Sequence, residues 1–122
     1  MTDRDRLTEL ARVWTYGGHV AHSAATVALV APATPPGHER DAVQYDLGQA
    51  TMSMMIAAAD LGIGTGHSAV GDHDLARELL GYPADRECAY LIAFGHPADR
   101  PLRPIAKPSR RPFDEVIHRD RW

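Results

Sequence analysis

Thirteen residues near the carboxy terminus, Arg100 to Pro112, hold Arg100, Arg103, Lys107, Arg110 and Arg111 and no acid. Arginine presents a planar fork of donors that matches phosphate bidentately, so Arg110 and Arg111 with Lys107 nearby suit one terminal phosphate. The chain as a whole carries a net charge of -3. Eight of its thirteen cations therefore stand against all sixteen acids outside the arm, and that remainder sums to -8. A basic arm on an acidic body fits a local anion better than a polyanion, and no nucleic-acid partner is expected. Composition alone favours a solvated tail with dispersed charge over a phosphate site.

Four other constellations could bear chemistry. The run Gly62-Ile63-Gly64-Thr65-Gly66 has the glycines of a dinucleotide loop. That fingerprint must follow a strand and open a helix, whereas this run follows a helical pattern, so a cap and tight turn, or a link whose amides face a flat ligand, are the readings left open. His67, Asp72, His73 and Asp74, or His19 with His22, could be drawn as metal ligands. Their spacing fixes no ligand geometry, and the aspartates fit helix-capping roles, so no metal site is expected. Ser68 lacks the strand-turn-helix context of an activated nucleophile. Met52, Met54 and Met55 could line a cofactor cavity, although core packing explains them as well.

The elements that must position these residues are legible in outline. Leu7, Leu10, Ala11 and Trp14 at spacings of three and four predict an amphipathic helix over residues 4 to 16, stopped by Gly17-Gly18. The apolar run Ala24 to Ala31 reads as a strand buried on both faces. Pro32 to Ala42, with three prolines and Gly37, reads as a loop. Asp46 and Gln49 then form a capping box that opens a nearly all-apolar helix, carrying Leu47, Ala50, Met54, Ala57, Ala58 and Leu61 and ended by Gly62. Its two apolar stripes predict a central helix packed on several sides. A Gly-rich link over Ile63 to Gly71, a helix from about Asp72 to Leu80, and a buried strand from Cys88 to Phe94 follow. Prolines at 97, 101, 104, 108 and 112 make the rest an extended arm, residues 97–122.

At 122 residues the chain fits one α+β domain with one core. No apolar run approaches the ~20 residues of a membrane helix, and the amino terminus lacks a signal-peptide pattern, so a cytoplasmic protein without a membrane partner is expected. The single Cys88 lies in an apolar run and reads as a core residue.

The order of the pieces carries a resemblance. Leu61-Gly62-Ile63-Gly64 closes the apolar helix; Leu79-Leu80-Gly81-Tyr82-Pro83 closes the next; Ala93-Phe94-Gly95-His96-Pro97 closes the strand; Arg110-Arg111-Pro112-Phe113-Asp114-Glu115-Val116-Ile117-His118 leads to Trp122. From about Tyr45 to Trp122 this resembles the nitroreductase family of FMN-dependent oxidoreductases, and Asp3 to Pro32 resembles the family's preceding helix and strand more loosely.

The resemblance implies an α+β sandwich and an intertwined homodimer with FMN at the subunit interface. It implies a hydride from NAD(P)H to the flavin and onward electron transfer to a nitroaromatic, quinone or similar small-molecule acceptor. Carried over by position, Ser68, Ala69, Val70 and Gly71 are implied to run beside the flavin ring, where an amide can hydrogen-bond its N5. Arg110, with Arg111 and Lys107, is implied to meet the phosphate. No side chain is implied to act as acid or base. The family's amino-terminal helix with an Arg-rich motif has no counterpart here, and the alternative reading is a non-catalytic flavin-family binding module or a subunit needing a partner chain.

Overall fold

A computed structural model of the chain describes residues 1–98, 101–104 and 106–122; Arg100, counted above in the basic arm, lies outside the described residues. The described residues form a three-stranded antiparallel sheet in the order β1-β3-β2, flanked by four α-helices and followed by the proline-rich arm. The α+β class read from the sequence is the observed one.

Helix α1 spans Arg4–Leu10 and is capped by Asp3, whose carboxylate accepts from the Arg6 amide at 2.9 Å. It tightens into a 3-10 turn over Ala11–Val13 and stops there, short of the predicted residue 16. Trp14 leaves the helix in an extended conformation because tertiary bonds claim the residue before it: the Val13 carbonyl accepts from the amides of Gly71 and Asp72 at 2.8 and 3.0 Å. The stripe is otherwise as the spacing required, with Leu7 and Leu10 fully buried. Gly17 makes the following turn, and a Cβ there would lie 2.4 Å from the Ala11 carbonyl oxygen, so only glycine fits. A short helix α2, Gly18–Ala21, inserts Val20 into the core.

Strand β1, Ala25–Pro32, is an edge strand rather than one buried on both faces: Thr26 and Ala31 are buried, while Val27 and Val30 are each 40% exposed. Its outer edge is partly covered by Met1, which exchanges two main-chain bonds of 2.9 Å with Thr26. Central strand β3, Arg86–Gly95, pairs with both neighbours. Leu91 and Ala93 join the core cluster of Leu7, Leu10, Val13, Val20 and Tyr82, and Ile92 is fully buried on the opposite face.

Two expectations are corrected between these strands. Helix α3 runs His38–Asp60, so it starts eight residues before Asp46, and the proposed capping box lies inside it. The start is set by Gly37 at φ 151, by Glu39 and Asp41 in the first turn, and by Arg40, which pairs with Glu87 at 3.2 Å and donates to the Thr34 carbonyl at 2.9 Å. Acids in the first turn outweighed the loop signal of the prolines, all of which precede the helix. Nor is α3 packed on several sides within one chain: Ala58 is its one buried residue, and Tyr45, Met52, Ile56 and Leu61 stand more than half exposed. The second correction is that the Gly-rich link is largely a strand, β2, Gly64–Ala69, paired residue by residue with Gly95 to Tyr90 of β3. Glycine, histidine and serine favour strands poorly, and the ladder offered by β3 overrides them.

Helix α4, His73–Leu80, has the predicted ends. Asp72 caps it by accepting from the Leu75 amide at 2.9 Å, and Gly81 closes it in the left-handed conformation at φ 73. Among its described residues the arm has no α-helix or strand and makes one 3-10 turn at Phe113–Glu115.

Two measurements test this packing. A Cβ on Gly71 would lie 2.8 Å from Cε3 of Trp14 and 3.0 Å from its Cζ3, so Gly71→Ala is expected to lower the unfolding free energy by ~1–3 kcal/mol in urea titrations. Cys88 is fully buried, and burial pushes its thiol up to about 11, with a smaller opposing pull from the Tyr90 backbone. A raised folded value means a stabilising contribution present below about pH 8.5, the ordinary thiol value, and lost as pH climbs toward 11. Stability of the native protein should therefore fall more steeply between pH 9 and 11 than that of Cys88→Ala, measured by urea unfolding at each pH.

Candidate functional site

The residues implied to face a flavin ring form the end of β2 and the turn into α4. Ser68 is buried and its hydroxyl donates to the Ala69 carbonyl at 3.0 Å. Val70 points its side chain into the core cluster. The Gly71 amide is held by Val13, and the Trp14 ring lies across the face of Gly71 where a side chain would be. Between these anchored neighbours, the Val70 amide donates to no described acceptor. A turn pinned on both sides of one unpartnered amide is a rigid donor, which is the feature a ring nitrogen would need. Trp14 and Tyr16, edge to face at 6.2 Å, stand partly exposed beside it.

The cations implied to hold a phosphate lie on the arm, after the last strand. Lys107, Arg110 and Arg111 are all exposed on the arm. Arg111 reaches Glu115 at 3.6 Å, an exposed contact of small energetic weight, and neither Lys107 nor Arg110 forms an ion pair among the described residues. The donor set of one open amide and three little-engaged cations fits a flavin nucleotide chemically, and none of these groups is among the residues lining the cleft at the other end of β2.

A concavity within one chain lies at the other end of β2. It is an open cleft of about 1180 Å³ between the arm and the edge of β2, with Gly64, Gly66, Phe94 and Leu102 among its walls. His19, His22, His67, His96 and Arg103 line it, whereas none of Ser68, Ala69, Val70, Gly71, Lys107, Arg110 or Arg111 does. The sequence offers His19 with His22, and His67 with its following Asp and His residues, only as local metal-ligand sets, and gives His96 no such role. The signal that gathers them, the β2-β3 pairing that sets His67 near the end of β3, was hidden by reading β2 as a link. Among the described residues no three His, Cys, Asp or Glu side chains converge as a metal site. No described helix is long and apolar enough to cross a membrane.

Comparison with known proteins matches this arrangement. The model of the nitroreductase family fits residues 3–96, which takes in all four helices and all three strands and stops short of the arm. An Archaeoglobus fulgidus protein named for NADH dehydrogenase or NAD(P)H nitroreductase activity is 26% identical over 98% of this chain and 70% of its own length. Among solved structures, a protein from Clostridium acetobutylicum named as an NADH oxidase superimposes with a TM-score of 0.83 at 16% identity, over 100% of this chain and 73% of that one. An FMN-dependent nitroreductase from Clostridium difficile gives 0.80 at 16% identity over 100% and 73%. The NADPH:FMN oxidoreductase of Vibrio harveyi gives 0.73 at 20% identity, over 100% and 57%. At these identities the superpositions speak to the fold, and the family model, which covers most of the chain, decides the membership: this protein belongs to the nitroreductase family.

Proposed function

We propose that the protein is an FMN-dependent oxidoreductase of nitroreductase type, working as a homodimer and passing hydride from NAD(P)H through flavin to a small acceptor such as a nitroaromatic or quinone. The observation that carries this reading is the family match over residues 3–96, with the Ser68 to Gly71 turn inside it. Bound FMN would supply the hydride-accepting ring. The chain's own part is positioning: the Val70 amide, fixed by the Gly71 and Asp72 bonds to Val13, would donate to the ring edge, and Ser68, Ala69 and Gly71 would shape the backbone against it. Lys107, Arg110 and Arg111 would hold the phosphate by charge-assisted bonds.

Helix α3 supports the dimer. Its 23 residues extend roughly 34 Å and expose Tyr45, Met52, Ile56 and Leu61. An apolar helix surface of this extent is more than a monomer ordinarily leaves to water, and a second copy of the same helix would cover it. Such an interface would also let the arm of one protomer bring its cations to the turn of the other.

Two experiments check the reading. Protein mixed with FMN and desalted should retain the flavin and oxidise NADH or NADPH in the presence of a quinone; the doubly substituted Arg110→Gln, Arg111→Gln protein should bind FMN at least about 10-fold more weakly for each lost charge-assisted bond. Failure to retain FMN under any loading condition would sink the cofactor assignment, and retention without nicotinamide oxidation would leave the non-catalytic alternative in its place. In sedimentation equilibrium the particle mass should be twice the 13.3 kDa of one chain, and Ile56→Asp should return it to one. A native protein that stays monomeric at tens of micromolar would rule out the dimer.

A further inference from the structure

The cleft at the Gly64 end of β2 has a composition that the flavin reading does not use. Its described lining holds five groups that can carry positive charge or donate hydrogen bonds, His19, His22, His67, His96 and Arg103, and no Asp or Glu, in a chain where acids outnumber Lys and Arg. The histidines come from three separate segments, so their gathering is a product of the fold: His19 and His22 from α2 and its end, His67 from β2, and His96 from just past β3.

One of them is seated. The His19 ring lies against Gly66, where a Cβ would come 3.0 Å from its Cδ2 and 3.3 Å from its Nε2, so the glycine leaves the imidazole its place on the strand. The opposite wall is made by the arm folding back over β2: at Gly64 a Cβ would meet Pro97 Cγ at 3.5 Å and Leu102 Cδ2 at 3.6 Å. That contact carries Arg103 to the rim. Neutral imidazole donates one ring N–H and imidazolium two, and guanidinium offers a bidentate fork, so each polar group in the lining can serve a phosphate oxygen. β2 is also an edge strand, and its outer main-chain edge is paired to no described strand.

We propose that this cleft is an anion site for an organic phosphate of mononucleotide size, with Arg103 and His19 as the principal phosphate contacts and the proline-rich arm with Phe94 and Leu102 as the apolar wall for its organic part. A phosphate fits because the guanidinium fork of Arg103 can engage two of its oxygens while a ring N–H of His19 donates to another. The size follows from the volume of about 1180 Å³, far more than an inorganic ion fills. The site is separate from the Ser68 to Gly71 turn and from Lys107, Arg110 and Arg111, none of which lines it, and it does not depend on the flavin assignment.

The test is calorimetric titration of the full chain with 5′-AMP, adenosine and inorganic phosphate, each with and without prior loading with FMN. The proposal expects AMP to bind at least tenfold more tightly than either adenosine or phosphate. Arg103→Gln and His19→Gln should each raise the AMP Kd at least fivefold while leaving the far-ultraviolet circular dichroism unchanged. Gly66→Ala, which crowds the His19 ring, should weaken AMP binding in the same direction. FMN retention by Arg103→Gln should equal that of the native protein. Equal affinity for AMP and adenosine, or an AMP Kd unmoved by Arg103→Gln and His19→Gln, would overturn the anion site. Equal affinity for AMP and phosphate would overturn the mononucleotide size, and loss of AMP binding on FMN loading would overturn the separateness of the two sites.

Discussion

The carbonyl of Val13 holds the protein's two layers in register. It lies at the end of the first helical segment and accepts from two consecutive amides, Gly71 and Asp72, across nearly sixty residues of sequence. Three consequences follow from that one acceptor. The first helix must end there, because the carbonyl is aimed at the turn. Trp14, next in the chain, is laid across Gly71, which must then be glycine. The start of α4 is fixed as well, since Asp72 both donates to Val13 and caps the helix through its side chain. The turn between β2 and α4 is thus over-determined on either side of Val70, and a chain that fixes a backbone this firmly around one unused amide has a donor preorganised for a ligand.

The sheet and the long helix are left incomplete by the same economy of size. With three strands, both β1 and β2 are edges, and the chain treats them differently: Met1 pairs with part of β1, while the arm folds over the beginning of β2. Helix α3 touches the sheet chiefly through β2 and leaves much of its apolar surface open. A single helical layer of this kind gains little from burial within one chain, and its exposed apolar residues are what the proposed dimer would cover. The basic arm carries Lys107 and Arg110 with no ion pair among the described residues and Arg111 in one exposed contact with Glu115.

Much of this was readable from residue types, and the failures have physical causes. The stripe Leu7, Leu10, the strand around Cys88 to Phe94, and helix α4 with Asp72 and Gly81 at its ends were legible because local signals and tertiary demands agree there. Strand β2 was not: Gly64 and Gly66 argue locally for a turn, and only the ladder with β3 makes them a strand. The start of α3 was missed because prolines at 32, 35 and 36 masked a helix that begins immediately after them, anchored by the long-range pair of Arg40 with Glu87. Its apolar stripes pointed to burial on several sides, and within one chain only Ala58 is buried, because the sheet meets the helix chiefly along β2. For the site, the resemblance pointed to Ser68 to Gly71, which fall within the family match, and to Lys107, Arg110 and Arg111, which lie beyond residue 96 and rest on the resemblance alone. The cleft histidines were out of reach of any sequence pattern, since no spacing along the chain relates His19 to His96.

Hydrogen exchange at the turn tests the central claim most directly. Amides of Gly71 and Asp72, bonded to Val13, should exchange only as slowly as the whole domain opens, with or without flavin. The Val70 amide should be the faster member of the three in the free protein and should gain at least about tenfold protection when FMN is bound. Flavin retained by the protein with the Val70 rate unchanged, or unprotected Gly71 and Asp72 amides in the free protein, would contradict the account.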